Sequence, residues 1–241
     1  MKIISLVPSI TEALFDFGLD ETEIIGRTKF CIHPEEKVKK VEVVGGTKNL
    51  NIKKIKNLNP DLIIANKEEN VKEQIEELMK DFKVWVTEID DLDDNRKFLT
   101  DLGALLNKKE TAEKFNKKID QIFSELRTKR KKKVAYLIWK DPYMTVGSDT
   151  FINHILEAIG LENIFSNRTR YPEINLNELK SSEYVLLSTE PYPFKEKNIE
   201  ELQKEIPQCQ FKIVDGEAFS WYGTHLAKRE DYFKNLQKEL L

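Results

Sequence analysis

The fold of this chain is decided first by the stretch Ile3-Ile4-Ser5-Leu6-Val7-Pro8-Ser9-Ile10-Thr11-Glu12. The residues before Pro8 form an apolar run rich in β-branched side chains, which predicts a buried strand. Ser9, followed by Glu12 three residues later, is a capping-box pattern and predicts a helix that ends at Gly18. A helix N-terminus at the carboxyl end of a strand is a place where open α/β sheets bind ligands.

The composition is that of a globular protein with a highly charged surface. Hydrophobic residues make up 40% of the 241 residues and charged residues 34%. No apolar run approaches the ~18 residues that a membrane span needs. The net charge of −3 argues against nucleic acid as a partner, because phosphate binding favours a basic excess.

Two further features bear on cellular location. Cys31 and Cys209 are too few and too far apart for a disulfide framework, so we expect free thiols. The opening apolar run is too short for the core of a signal peptide. These features predict a cytoplasmic protein; a periplasmic or lipid-anchored one from which the export signal has been removed is the alternative.

Short apolar runs alternate with helical patterns on both sides of one long helix. The region from Lys108 to Arg130 lacks Gly and Pro and has helical spacing of its apolar residues. Strands are predicted at 2–7, 23–26, 61–65 and 83–87 before it, and at 134–139, 184–188 and 211–214 after it. This alternation predicts an α/β fold with parallel sheets: an N-terminal lobe at 1–106, a linking helix at 107–131 and a C-terminal lobe at 132–241.

The two halves also share a local pattern. Residues 13–20, Ala-Leu-Phe-Asp-Phe-Gly-Leu-Asp, are similar to residues 155–162, Ile-Leu-Glu-Ala-Ile-Gly-Leu-Glu. Each helix would end on a Gly-Leu-acid stop, and the N-cap candidates are Ser9 in one half and Ser148 or Asp149 in the other. We therefore expect two related lobes with a ligand cleft between them.

Three stretches and the long central helix resemble one known family. The stretches are the opening residues 4–12, Val44-Gly-Gly-Thr-Lys-Asn-Leu-Asn-Ile-Lys-Lys-Ile55, and Leu58-Asn-Pro-Asp-Leu-Ile-Ile-Ala65. They resemble the class III solute-binding proteins, which include the cobalamin, haem and ferric-siderophore receptors of ABC importers, and among these the cobalamin-binding members most. The resemblance implies two Rossmann-like lobes bridged by a rigid helix, with a bulky metal chelate clasped between them. It implies no intrinsic cofactor, since a corrinoid, haem or siderophore would be the ligand, and it makes an ABC permease a possible partner.

Candidate binding residues follow the second predicted strand. The resemblance implies an aromatic contact with the ligand at this loop, where Phe30 and His33 stand. An imidazole nitrogen of His33 is a candidate axial ligand to the metal of a bound chelate. The alternative is that His33, beside Pro34, is only a turn residue.

Polar candidates follow in two more loops. Thr47, Lys48 and Asn49 come after a Gly-Gly pair that lets the backbone approach a ligand closely or simply makes a sharp loop. Thr47 aligns with a tryptophan of the cobalamin receptors, which weakens cobalamin as the ligand. Lys67 and Glu68 follow the 61–65 strand and could contact ligand amides or carboxylates, with helix capping in this segment as the alternative.

Aromatic residues predominate among the candidates of the second half. They lie at or after predicted strand ends, on loops and without core periodicity, which suits a broad flat ligand. The ligand-binding candidates are Trp139, Tyr143, Tyr171, Trp221 and Tyr222.

No enzyme motif is present: Gly-x-Ser-x-Gly, a P-loop, His-Glu-x-x-His and Cys-x-x-Cys are all missing. The chain is therefore expected to bind its ligand without transforming it. The alternative is a cytoplasmic enzyme acting on a tetrapyrrole or other cofactor in the same cleft, with Glu217 and His225 as an acid–base pair.

The resemblance also raises a question about the permease. Transport-competent members present one acidic side chain on each lobe to arginines of the permease. The aligned positions hold Lys53 and Asn177, although Glu178 is adjacent to the second. A lysine facing an arginine would repel it, so docking on a standard importer is not expected.

Overall fold

Eleven strands and ten α-helices alternate along the chain in the computed structural model, which describes residues 1–241. The chain divides into two units. Unit 1 contains Met1–Ile89, Asp94–Asn116 and Trp221–His225, and unit 2 contains Asp90–Asp93, Lys117–Ser220 and Leu226–Leu241. Helix α6 (Lys109–Leu126) lies where the sequence predicts the linking helix, and the division falls within it. The predicted domain limits at 106 and 131 remain a prediction.

Unit 1 is built on a parallel four-stranded sheet in the order β2-β1-β5-β6. Ile4, Ile63 and Leu78 are among the core residues of this unit. The strands are β1 (Ile3–Ser5), β2 (Ile24–Arg27), the hairpin strands β3 (Gly45–Gly46) and β4 (Asn49–Leu50), β5 (Leu62–Asn66) and β6 (Val84–Thr87). The helices are α1 (Pro8–Asp16), α2 (Glu35–Val38), α3 (Ile52–Leu58), α4 (Lys72–Met79) and α5 (Leu92–Leu105).

Unit 2 contains a five-stranded sheet in the order β11-β10-β7-β8, with β9 also pairing with β7. Its strands are β7 (Lys132–Trp139), β8 (Met144–Thr145), β9 (Leu161–Asn163), β10 (Tyr184–Ser188) and β11 (Gln210–Val214). Its helices are α7 (Phe151–Ala158), α8 (Glu196–Glu205), α9 (Gly216–Ser220) and α10 (Glu230–Leu240). Short 3-10 helices occupy Leu176–Ser181 and Gly223–Lys228.

The predicted α/β fold with parallel sheets in two lobes is confirmed. Within the two main sheets the exception to parallel pairing is β8, which runs antiparallel to β7 and places Met144 opposite Trp139; the separate hairpin strands β3 and β4 are also antiparallel. The sequence predicts no strand at β8. The chain reverses over residues 140–143, and so short a connection can only join antiparallel strands.

The start of α1 differs from the predicted capping box. Val7 is the N-cap, no side chain caps it, and Pro8 occupies the first turn. Pro at this position is favourable because its missing N–H would have no helical partner. Ser9 therefore lies inside the helix, and the Glu12 side chain makes the contact described below. In the second half Thr150, rather than Ser148 or Asp149, caps α7 by accepting a hydrogen bond from the Asn153 N–H.

The local pattern that the two halves share is visible in their backbone conformation. Gly18 and Gly160 both adopt φ of +83°, each two residues beyond the end of its helix. This left-handed conformation is one that glycine adopts without strain. None of the helices combines the length and the hydropathy that crossing a membrane requires.

Candidate functional site

Phe30 is the most exposed aromatic candidate in unit 1. It lies in the loop after β2 with 50% of its surface exposed. The ring lies beside Gly46 of the hairpin, where a Cβ would come within 3.3 Å of the Phe30 Cε2. The Lys29 ammonium lies 5.0 Å from the ring centroid. Phe30 thus offers an apolar surface next to the hairpin and a nearby positive charge.

The hairpin is fastened to the loop after β5 by polar contacts. The Asn70 side chain donates to the Thr47 carbonyl at 3.1 Å, and Lys48 Nζ donates to the Glu68 carbonyl at 2.6 Å. Thr47 is buried and Glu68 is half-buried. The structure therefore brings three of the polar candidates, Thr47, Lys48 and Glu68, to one edge of the sheet.

The other two polar candidates are exposed. Asn49 begins β4, and Lys67 pairs with Glu88 at 2.5 Å. The capping alternative for this segment has a visible basis. The Asn66 side-chain oxygen accepts from the N–H groups of Glu68 at 2.9 Å and of Glu69 at 3.1 Å.

His33 belongs to a cluster of three rings. Its ring meets the Trp221 ring edge-on at 5.4 Å and lies 6.2 Å from the His225 ring, while Trp221 and His225 are 5.2 Å apart. His225 Nδ1 lies 2.7 Å from a carboxylate oxygen of Glu12, and both side chains are almost fully buried. His33 is half-buried. No group of three or more His, Cys, Asp or Glu side chains is arranged to hold a metal ion.

Trp221 and Tyr222 are buried, which differs from the expectation of open loop aromatics. Trp221 is only 7% exposed, and both residues belong to unit 1 although they follow β11 in the chain. The Tyr222 ring packs edge-on against Phe98 at 6.1 Å. Burial raises the pKa of the Tyr222 hydroxyl well above its usual value. Both rings therefore contribute to the packing of unit 1.

Trp139 is the exposed aromatic residue of unit 2. It ends β7 with 41% of its surface exposed and meets the Tyr192 ring edge-on at 5.8 Å. Tyr143 is partly buried against the unit 2 core, and burial raises the pKa of its hydroxyl. Lys140 Nζ pairs with Glu201 at 2.5 Å beside these rings. Trp139 and Tyr143 are therefore placed at the carboxyl edge of the unit 2 sheet.

Tyr171 is carried by a segment that pairs with β8. The Thr145 N–H donates to the Pro172 carbonyl at 3.0 Å, and the Ile174 N–H donates to the Tyr143 carbonyl at 2.9 Å. The Arg170 guanidinium lies 5.6 Å from the centroid of the half-buried Tyr171 ring.

The acid–base pair of Glu217 and His225, the enzyme alternative of the sequence analysis, stays a prediction. Glu217 contacts Arg229 at 3.4 Å within unit 2, and His225 contacts Glu12 at 2.7 Å within unit 1.

The contacts of Glu12 and Asn70 differ from those that the sequence predicts. Glu12 matches a capping pattern, and its partner is 213 residues away, so no local signal identifies it. Asn70 is expected to contact a ligand or to cap a helix, and its side chain instead donates to the Leu6 and Thr47 carbonyls. Tyr192 also follows a predicted strand end, and the sequence places it with the other aromatic residues expected at a cleft.

The residues aligned with permease-docking acids are placed as follows. Lys53 is exposed in the first turn of α3, and its neighbour Lys54 pairs with Glu42. Asn177 is exposed, while Glu178 accepts from the Asn175 N–H at 2.9 Å and pairs with Arg168. These contacts hold the pKa of Glu178 below its usual value, the Asn175 hydrogen bond being the largest cause.

Comparison with known proteins identifies a family and several relatives. The family model for periplasmic binding proteins matches residues 3–208. The chain is 29% identical over 186 residues to an uncharacterized ABC transporter substrate-binding lipoprotein, YvrC, of Bacillus subtilis (strain 168), covering 72% of this chain and 58% of that protein. It is 27% identical over 187 residues to a vitamin B12-binding protein of Vibrio vulnificus (strain CMCP6), covering 74% of this chain and 67% of that protein.

Solved structures show the same fold. The periplasmic vitamin B12 binding protein BtuF of Vibrio cholerae superposes with a TM-score of 0.83 at 17% identity, covering 99% of this chain and 97% of that one. The apo form of the periplasmic heme-binding protein RhuT from Roseiflexus sp. RS-1 superposes with a TM-score of 0.81 at 16% identity, covering 100% and 99%. The resemblance to the solute-binding proteins of ABC importers is thereby confirmed.

The predicted cytoplasmic location is wrong. The matching family is that of periplasmic binding proteins, and the relatives are described as periplasmic or as a lipoprotein. The expectation rested on the two free cysteines and on the short opening apolar run.

Proposed function

The chain belongs to the periplasmic binding protein family, and on that premise we propose that it is the substrate-binding protein of an ABC importer for a bulky metal chelate. The ligand classes are corrinoids, haem and ferric siderophores. Relatives described as vitamin B12-binding proteins support the first class. Fold neighbours described as heme-binding proteins are compatible with the second. The ligand is cargo, and the proposal includes no intrinsic cofactor.

One observation carries the ligand class. Each unit presents a large exposed aromatic ring at the carboxyl edge of its sheet, Phe30 in unit 1 and Trp139 in unit 2. Such rings cost free energy in water and are therefore informative when they stand beside polar loops. A flat, largely apolar chelate is a ligand that would cover a ring of this kind.

The remaining candidates have distinct proposed roles. Lys48, Asn49 and Lys67 would contact polar groups at the rim of the chelate, and Tyr143 and Tyr171 would extend the aromatic surface of unit 2. His33 would supply an imidazole nitrogen to the metal. Trp221 and Tyr222 are buried and would act indirectly within unit 1, Trp221 by packing against the His33 ring and Tyr222 by packing against Phe98.

The proposal is tested by offering chelates to the purified protein. Hydroxocobalamin, haemin and a ferric hydroxamate siderophore are each added while visible spectra and thermal unfolding are recorded. At 100-fold excess over the dissociation constant a true ligand stabilises the protein by about 2.7 kcal/mol. Failure of all three to shift the unfolding temperature would remove the metal-chelate proposal.

The same incubation separates binding from catalysis. We propose that the protein does not transform its ligand, so chromatography and mass spectrometry should recover the chelate unchanged. A new product that increases with time would favour the alternative of an enzyme acting on a tetrapyrrole.

For the permease, we propose that unit 1 docks with a charge pattern opposite to that of typical members. Lys53 is exposed where an acidic residue is expected, and Glu178 is already engaged with Arg168 and Asn175. A permease that recognises this protein would therefore place acidic residues opposite Lys53.

The variant Lys53→Glu tests this docking role. It should bind more strongly than the unmodified protein to an importer of this family that uses arginines, with the importer held in nanodiscs. Lys72→Glu on helix α4 makes the same change of charge and is the control. Equal effects of the two substitutions would contradict a specific docking role for Lys53.

A further inference from the structure

The segment Trp221–His225, here called the strap, is part of unit 1 although the residues on both sides of it belong to unit 2. Three short hydrogen bonds hold it. His225 Nδ1 lies 2.7 Å from Glu12, Thr224 Oγ1 donates to Asp16 at 2.5 Å, and the Gly223 N–H donates to the side-chain oxygen of Asn95 at 2.5 Å. The strap is thereby fixed to helices α1 and α5.

The hydrogen bond between Glu12 and His225 differs from the other two hydrogen bonds of the strap because His225 is also one of the three rings of the cluster. His225 lies 5.2 Å from Trp221, and Trp221 supports His33 edge-on at 5.4 Å. The carboxyl group of Glu12 and the Nδ1 nitrogen of His225 share one hydrogen bond, which fixes the orientation of the His225 ring. The orientation of His225 then limits the orientation of the two rings packed against it.

Stability alone does not account for this pair. Replacing a buried polar pair by apolar side chains of similar volume is often neutral or stabilising, because both groups must lose their hydration. The ring of His225 lies near the half-buried His33, so the buried pair is better explained by its effect on the orientation of the His33 ring. The geometry points to Glu12 and His225 as positioning residues that set the direction of the His33 imidazole through Trp221. This inference rests on the proposed function, in which His33 reaches the metal of the chelate.

The experiment compares Glu12→Ala, Glu12→Gln and Thr224→Val. Thr224→Val is the matched control, since it removes another hydrogen bond of the strap without touching the ring cluster. Haemin is the probe, because its visible spectrum reports whether an imidazole coordinates the iron. Residues that orient a metal ligand typically change affinity by roughly 10- to 100-fold when they are removed.

We expect Glu12→Ala to lose affinity for haemin within that range and to give the spectrum of His33→Ala. Glu12→Gln keeps an acceptor for Nδ1 and should restore most of the affinity and the spectrum of the unmodified protein. Thr224→Val should lower the unfolding temperature but leave both the affinity and the spectrum unchanged. Equal loss of affinity in Glu12→Ala and Thr224→Val would overturn the inference, as would an unchanged spectrum in Glu12→Ala.

A second measurement needs no ligand and so separates the two proposals. With Trp85 and Trp139 changed to Phe, Trp221 is the one remaining tryptophan of three. Its fluorescence then reports the neighbouring imidazole rings. Glu12→Ala should change the emission intensity and Thr224→Val should not. If haemin fails to bind the unmodified protein, haem is excluded as the ligand while this measurement still decides whether Glu12 positions the rings. Unchanged emission in Glu12→Ala refutes the positioning role.

Discussion

Trp139 and Trp221 are two tryptophans that the sequence places at or after strand ends in the C-terminal half of the chain, yet they occupy opposite environments. Trp139 is 41% exposed at the edge of the unit 2 sheet, and Trp221 is 7% exposed in unit 1 between two histidine rings. The same local sequence signal therefore describes one ring that can meet a ligand and one that supports a neighbour. The comparison shows that the end of a strand predicts the location of an aromatic residue but does not predict its exposure.

Removing Trp221 should have the largest effect. Trp221→Ala leaves a cavity beside the rings of His33 and His225, so the free energy of unfolding should fall by about 3–5 kcal/mol. Urea unfolding measures this. Trp139→Ala is the control and should change stability by less than about 0.5 kcal/mol, as is usual at exposed sites. Similar losses in the two variants would show that the difference in burial has no energetic consequence.

Asn70→Ala tests how firmly the binding edge of unit 1 is held. Asn70 accepts from the Asn66 N–H at 2.9 Å and donates to the carbonyls of Leu6 and Thr47. Without this side chain, buried backbone groups lose their partners, which should cost about 2 kcal/mol. Asn49→Ala, at an exposed position of the same hairpin, should be near neutral in the same denaturation experiment. A small loss in Asn70→Ala would mean that water replaces the side chain.

Trp139→Ala should affect binding where Trp221→Ala affects stability. Loss of the exposed ring should weaken binding of whichever chelate the protein takes by about 1–2 kcal/mol. Fluorescence or absorbance titration measures the dissociation constant. Trp139→Phe retains an aromatic surface and should recover most of the affinity. Unaltered binding in Trp139→Ala would place the ligand surface of unit 2 elsewhere.

The smallest effect is expected at a half-buried ion pair of unit 2, between Glu230 and Lys118, which contrasts with the buried pair of Glu12 and His225. Hydrogen bonds from Lys118 and then Lys234 lower the pKa of Glu230 from 4.5 to about 2. A carboxyl group with a lowered pKa in the folded state stabilises the fold above pH 4.5 and loses this contribution as the pH falls towards 2. The stability difference between the protein and its Glu230→Gln variant should therefore be modest at neutral pH and disappear between these values.

Thermal unfolding from pH 7 to pH 2 would follow this difference. Glu196→Gln is a suitable control because Glu196 is an exposed residue of α8. A difference between the protein and Glu230→Gln that is independent of pH would contradict the assignment.

The sequence by itself determined the architecture of this protein. Apolar runs, helical spacing and the two Gly-Leu-acid stops place the strands and helices, because these signals depend on residues close together in the chain. Trp139 was identifiable from its place at a predicted strand end, and Phe30 through the family resemblance. Only the tertiary structure decided that Glu12 pairs with His225, that the strap belongs to unit 1 and that Trp221 is buried. These features join residues about two hundred positions apart, and local periodicity carries no information about which distant side chains meet.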